Sequence, residues 1–232
     1  GEEGTVPPVQ IVEITSENQD TPEERAAFDF LYASTKATKA EPNVHLNFNH
    51  AMSRVNLKFV PGTDPEGNPV TLTDIECYLV GIKRNGTFDT EKGVAAGAED
   101  AAVSDLRQML NADNDHTFTA YLLPQTIGAE GLQIEAAMTT ADSRRIYYFL
   151  EIPVSDWPEM KAGYSYNYTL TANDYMTASP TVLEISGTDI NPWTEVNKEE
   201  TPDAKALGTE AKAEGSEWGE METEEIIPVE KQ

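Results

Sequence analysis

The stretch from Asn43 to Phe59 changes the phase of its apolar residues halfway along, and that constrains the fold more than any other feature of the chain. Val44, Leu46 and Phe48 alternate with His45, Asn47 and Asn49, the period-2 pattern of a strand with one face in a core. Val55, Leu57 and Phe59 then alternate with Asn56 and Lys58, so the apolar residues now fall on odd numbers. A one-residue change of phase reverses which face is buried. The chain must break or bulge near His50–Arg54 and resume on the other side.

Further strands are expected at Leu72–Ile82, Thr117–Leu123, Leu132–Met138, Ile146–Ile152, Tyr164–Thr171 and Thr181–Ile185, with short ones at Val9–Ile14 and Phe28–Ala33. Clusters of Gly, Pro, Asn and Asp separate them, and Asn85-Gly86 is the sharpest turn signal. The fold class is all-β. Two helical exceptions are expected. Thr21-Pro22-Glu23-Glu24 carries a capping box with Pro at the first helical position, enough for about one turn. Val103, Leu106 and Leu110 fall at helical spacing after Asp100, which predicts a short helix or irregular excursion over Ala101–Leu110.

The 41 acidic residues outnumber the 16 basic ones, for a net charge of −25. Nucleic acid and anionic membranes require basic surface, so neither is an expected partner. No apolar run approaches the roughly 20 residues that cross a bilayer as a helix. Cys77, the single cysteine, lies in an apolar run and reads as a small buried hydrophobe. His45 and His50 fall on opposite faces of a strand and His116 in a polar turn, so no histidine metal site is expected. Asp64-Pro65-Glu66-Gly67-Asn68 and Asn111-Ala112-Asp113-Asn114-Asp115 read as solvated turns, not calcium loops. No nucleophile elbow, zinc helix, phosphate loop or dinucleotide fingerprint occurs. The chain therefore reads as a non-enzyme without cofactor.

Aromatic residues offer the other route to function. Tyr164, Tyr166 and Tyr168 share one strand face with Leu170, which favours core packing over a sugar-binding platform. Trp157 and Trp193 lie in loop or edge contexts and are candidate surface contacts. Beyond Glu195 the segment Lys198–Gly219 is too polar to offset its ordering entropy. It ends in the apolar island Glu225-Ile226-Ile227-Pro228-Val229.

Four pieces of sequence carry a family resemblance. They are Asp29-Phe30-Leu31-Tyr32-Ala33 followed by Val44-x-Leu46-x-Phe48-x-His50-Ala51-Met52-Ser53-Arg54-Val55, Leu122-Leu123-Pro124-Gln125, Trp157 followed by Gly163-Tyr164-x-Tyr166-x-Tyr168, and Ile190-Asn191-Pro192-Trp193. Their order and spacing over residues 28–195 resemble the fimbrillin-like proteins, subunits of the type V pili of Gram-negative anaerobes. The resemblance implies transthyretin-like β-sandwiches of Greek-key type, lipoprotein export, and assembly on the outer surface. It implies polymerisation by strand donation, in which proteolysis removes one strand and a terminal segment of the next subunit fills the groove. The expected partners are other fimbrial subunits or copies of the same chain, and a host or bacterial surface ligand.

On this reading residues 1–42 are a remnant of a first domain, 43–196 a fimbrillin-like sandwich, and 197–232 an acidic tail. Too few residues precede Asp29 for a full first sandwich, and the lipid-bearing cysteine of the family has no counterpart near Gly1. Ile226, Ile227 and Val229 are the candidate donor strand, with Val9–Ile14 as a second candidate. The alternative is a cell-surface module that binds carbohydrate or protein through an exposed Trp or Tyr.

Overall fold

The computed structural model describes residues 10–16, 19, 21–36, 43–99, 102–107, 109–110, 116–129, 131–153, 159–174, 181–193 and 210–214. In chain order the elements begin with β1 (Ile11–Thr15), α1 (Pro22–Ala27), β2 (Leu31–Tyr32), β3 (Asn43–Asn47), β4 (Asn49–His50) and β5 (Ser53–Pro61). Next come β6 (Thr73–Lys83), β7 (Asn85–Asp89), β8 (Val94–Gly97), β9 (Val103–Arg107), β10 (Met109–Leu110), β11 (Thr117–Leu122) and β12 (Gln125–Thr126). The last are β13 (Leu132–Thr139), β14 (Arg145–Ile152), β15 (Glu159–Met160), β16 (Tyr164–Ala172), β17 (Thr181–Val182), β18 (Glu184–Pro192) and β19 (Glu210–Glu214). The described chain is thus almost entirely β.

The chain divides into two compact units, one of residues 1–30 and 50–194, the other of residues 31–49 and 195–232. The phase change coincides with that division, between Asn49 and His50. Val55, Leu57 and Phe59 are buried in the first unit, whereas Leu46 and Phe48 are half-buried in the second. Three strands, β3, β4 and β5, cover what reads as two in the sequence.

The first unit is built on two five-stranded sheets, with orders β10-β11-β5-β16-β18 and β17-β14-β13-β6-β9. Val55, Leu57, Phe118, Leu122, Tyr168 and Leu170 from the first join Cys77, Leu79, Leu106, Ile134, Met138 and Tyr148 from the second in one buried cluster. Sheets that share one core in this way pack as a β-sandwich does. Each fully buried Leu or Phe there contributes about 1.5–3 kcal/mol. Cys77 is fully buried, and desolvation pushes its thiol pKa up, which makes it an inert filler. A second buried cluster joins Phe28, Ala51, Met52, Ala95, Tyr121, Leu123 and Trp193.

Local chemistry explains the helix and one turn. In α1 the Thr21 side chain accepts from Glu24 N–H, and the Glu24 carboxylate accepts from Thr21 N–H. Phe28 caps the helix C-terminus, so the expected strand at Phe28–Ala33 shrinks to Leu31–Tyr32. At Asp64–Asn68 the carboxylate accepts from Asn68 N–H and its side-chain amide, while Gly67 takes φ +86°. These bonds hold the Asp64 carboxyl below the usual range, and its oxygens serve the turn itself.

Four expectations need correction. No helix forms among the described residues of Ala101–Leu110, where β9 pairs antiparallel with β6. In a strand, residues three apart face opposite ways, so Leu106 is buried while Val103 is 61 % exposed. Asn85-Gly86 makes no hairpin, since Asn85 and Gly86 lie inside β7 between β1 and β8. The Cβ of any other residue at Gly86 would lie 2.1 Å from the Ala96 carbonyl oxygen, so the glycine serves close backbone approach. Thr181–Ile185 is not one strand. It breaks at buried Leu183, where β17 leaves β14 and β18 joins β16. In the tail, Glu210–Glu214 pairs antiparallel with β3 in the second unit, because backbone ladders need no apolar side chains.

Candidate interaction surface

β1 lies at one edge of the three-stranded sheet β1-β7-β8. It runs antiparallel to β7, with Ile11 opposite Asp89 and Thr15 opposite Asn85. Ser16 N–H donates to the Arg84 carbonyl at 2.7 Å and Thr90 N–H to the Gln10 carbonyl at 3.1 Å. Antiparallel pairs alternate, so Val12–Phe88 and Ile14–Gly86 carry the intervening hydrogen bonds. Only Ile14 of the five packs against a core cluster, the second one, while Ile11 and Val12 are exposed. The strand is thus held by its backbone ladder, by Ile14, and by the Arg84 Nε and Thr90 hydroxyl that donate to the flanking Ser16 and Gln10 carbonyls, with little apolar burial to lose on leaving.

β18 is the edge of the first large sheet, hydrogen-bonded to β16 along Glu184–Pro192. Eight of its nine residues are exposed. Glu184, Asp189 and Pro192 sit on it, the charges and imino acid that discourage uncontrolled pairing of a bare edge.

Asp29, His50, Arg54, Leu123 and Gly163, from the pieces of sequence that carry the family resemblance, gather around Trp193. Its ring stacks on His50 with centroids 3.5 Å apart and planes 7° from parallel. Tyr121 tilts against the indole at 4.8 Å, and the Arg54 guanidinium lies over it at 4.9 Å. Asp29 Oδ1 is 2.7 Å from His50 Nδ1. Gly163 N–H donates to the Met52 carbonyl, and Trp193 N–H donates to the Gly163 carbonyl at 2.6 Å. Trp193 is 4 % exposed, so its expected role as a surface contact is corrected. It lies buried where His50, Tyr121 and Arg54 enclose it, and its place in the node is structural.

Gln125, from the Leu-Pro-Gln piece, acts in the same structural way. Its side-chain amide accepts from Lys83 N–H at 2.7 Å and donates to the Lys83 carbonyl at 3.0 Å. Sequence reasoning did not find Gln19, which makes the equivalent pair with Tyr121. A lone glutamine in a polar segment gives no local signal of such a contact.

Tyr166 and Tyr168 are buried, as core packing requires, and Tyr164 at the strand end is partly exposed. Tyr166 Oη donates to the Glu159 carbonyl and accepts from Lys161 N–H. Trp157, Ile226, Ile227 and Val229 lie outside the described residues. The described residues hold no group of three metal-ligating side chains and no helix long and apolar enough to cross a membrane.

Two solved structures share the fold. One is a candidate cell adhesion protein from Bacteroides ovatus, 24 % identical, with a TM-score of 0.61 over 85 % of this chain and 66 % of its own. The other, a candidate cell adhesion protein from Bacteroides uniformis, is 16 % identical with a TM-score of 0.60 over 83 % of this chain and 69 % of its own. This chain therefore spans about two thirds of their length. No curated protein matches it. The fimbrillin-like family model matches residues 4–193, and the chain belongs to that family.

Proposed function

We propose that this chain is a structural or accessory subunit of a bacterial cell-surface fimbria, assembled by strand exchange and contributing to adhesion. Its sheets are read as a transthyretin-like, Greek-key sandwich, exported to the outer surface and anchored or polymerised there. The observation that carries the reading is β1, an edge strand with one half-buried apolar side chain, paired to β7. Its departure would bare a row of unpaired β7 groups, and an extended segment of another subunit would satisfy them. Ile226, Ile227 and Val229 are the proposed donor residues, since alternating apolar side chains are what such a groove takes.

The experiment is an oligomerisation assay on three forms of the whole chain. Removal of residues 225–232 should abolish self-association after proteolytic or engineered release of β1. A Glu13→Cys/Thr87→Cys pair, at directly opposed non-hydrogen-bonded positions, should lock β1 and block assembly until reduced. Oligomers that persist in both variants would sink strand exchange.

A further inference from the structure

We propose that the outward face of the second large sheet binds a cationic side chain, arginine or lysine, presented by a partner protein. Three strands bring six residues into two rows there. Glu76, Ala137 and Tyr147 are cross-strand neighbours in one row, and Tyr78, Glu135 and Phe149 in the next. They line a surface cavity of about 270 Å³. Its floor is Ala137, only 7 % exposed although it faces outward, because larger neighbours rise around its methyl group. Tyr147 stands at the rim, 57 % exposed.

The spacing suits a flat cation. Tyr147 and Phe149 are two residues apart on one strand face, which separates their stems by roughly 6.8 Å. A planar group between two rings needs about two contacts of ~3.5 Å each, the same distance. Aromatic faces attract guanidinium and ammonium groups. Glu135 supplies the countercharge, since Glu76 is already paired with Arg145. Arg145 already lies 2.9 Å from Glu76 on this face, which shows that the surface accommodates a guanidinium beside a carboxylate. Glu135, opposite both Tyr78 and Phe149, makes no ion pair among the described residues. A net charge of −25 would also draw a basic partner toward the chain. None of the six residues lies on β1 or β7, so the inference is independent of strand exchange.

The test is calorimetric titration of the whole chain with a blocked Gly-Ser peptide carrying two arginines, its citrulline counterpart, and a neutral β-linked hexasaccharide. The arginine peptide should bind and the citrulline peptide at least tenfold more weakly. Glu135→Gln and Ala137→Leu, which respectively remove the charge and fill the floor, should each cost tenfold or more. Glu184→Gln on β18 should leave binding unchanged while reducing the net negative charge equally. Equal binding of both peptides, equal weakening by Glu184→Gln, or binding of the hexasaccharide alone would overturn the proposal.

Discussion

The side-chain amide of Gln19 pairs with the main chain of Tyr121 in both directions. Its Oε1 accepts from Tyr121 N–H at 2.8 Å, and its Nε2 donates to the Tyr121 carbonyl at 2.6 Å. One glutamine thus stands where a neighbouring strand would stand, at the margin of β11. A peptide group and a primary amide present the same donor and acceptor, which makes the substitution chemically natural. Gln125 does the same for Lys83.

Gln19→Ala should therefore leave buried Tyr121 groups unpaired and lower stability by about 1–3 kcal/mol. Gln19→Glu should not rescue it, because a carboxylate accepts but cannot donate. Urea unfolding of the three proteins checks this, with Gln125→Ala expected to behave like Gln19→Ala.

Trp193→Ala should cost about 3–5 kcal/mol, the usual loss for a large buried aromatic. Trp193→Phe should recover part of it by keeping a ring against His50 and Tyr121. A thermal midpoint unchanged by Trp193→Ala would restore the indole to the surface role that the sequence suggested.

Gly86→Ala should destabilise by roughly 1–3 kcal/mol, because the added Cβ meets the Ala96 carbonyl oxygen at 2.1 Å. Gly128→Ala has nothing within 4 Å and should stay within about 0.5 kcal/mol of the parent. Denaturant midpoints of the pair separate close approach from loss of glycine as such.

The turn Thr140–Arg144 predicts an acid-dependent step. The Thr140 hydroxyl and then the Arg144 guanidinium donate to Asp142 and hold its carboxyl down to about 2, from 3.8. A depressed folded-state pKa stabilises fully above the unfolded value and loses that contribution as pH falls through the folded one. The parent should lose thermal stability relative to Asp142→Asn between about pH 4 and pH 2 and not above pH 5. Parallel melting curves across that range would count against it.

Amide hydrogen exchange should rank the strands. Val12 and Ile14, on a strand with one half-buried side chain, should exchange by local opening. Tyr166 and Tyr168 on β16, between β5 and β18, should require much larger openings and exchange orders of magnitude more slowly.

The sequence by itself determined the β character, the capping box at Thr21 and the inward faces of β5 and β16. Alternation and capping are local, so they survive without knowledge of neighbours. It also carried the family, through residues scattered from Asp29 to Trp193, but it could not display that His50, Arg54 and Gly163 among them gather around the Trp193 ring. Only the tertiary structure decided which sheet each strand joins. Strand pairing with β6 overrode helical spacing at Val103–Leu110, and a second close neighbour turned Asn85-Gly86 from a turn into a strand. It likewise decided that the phase change near His50 marks the passage between two compact units. A period of two names a buried face, but what covers that face is set by chain segments a hundred residues away.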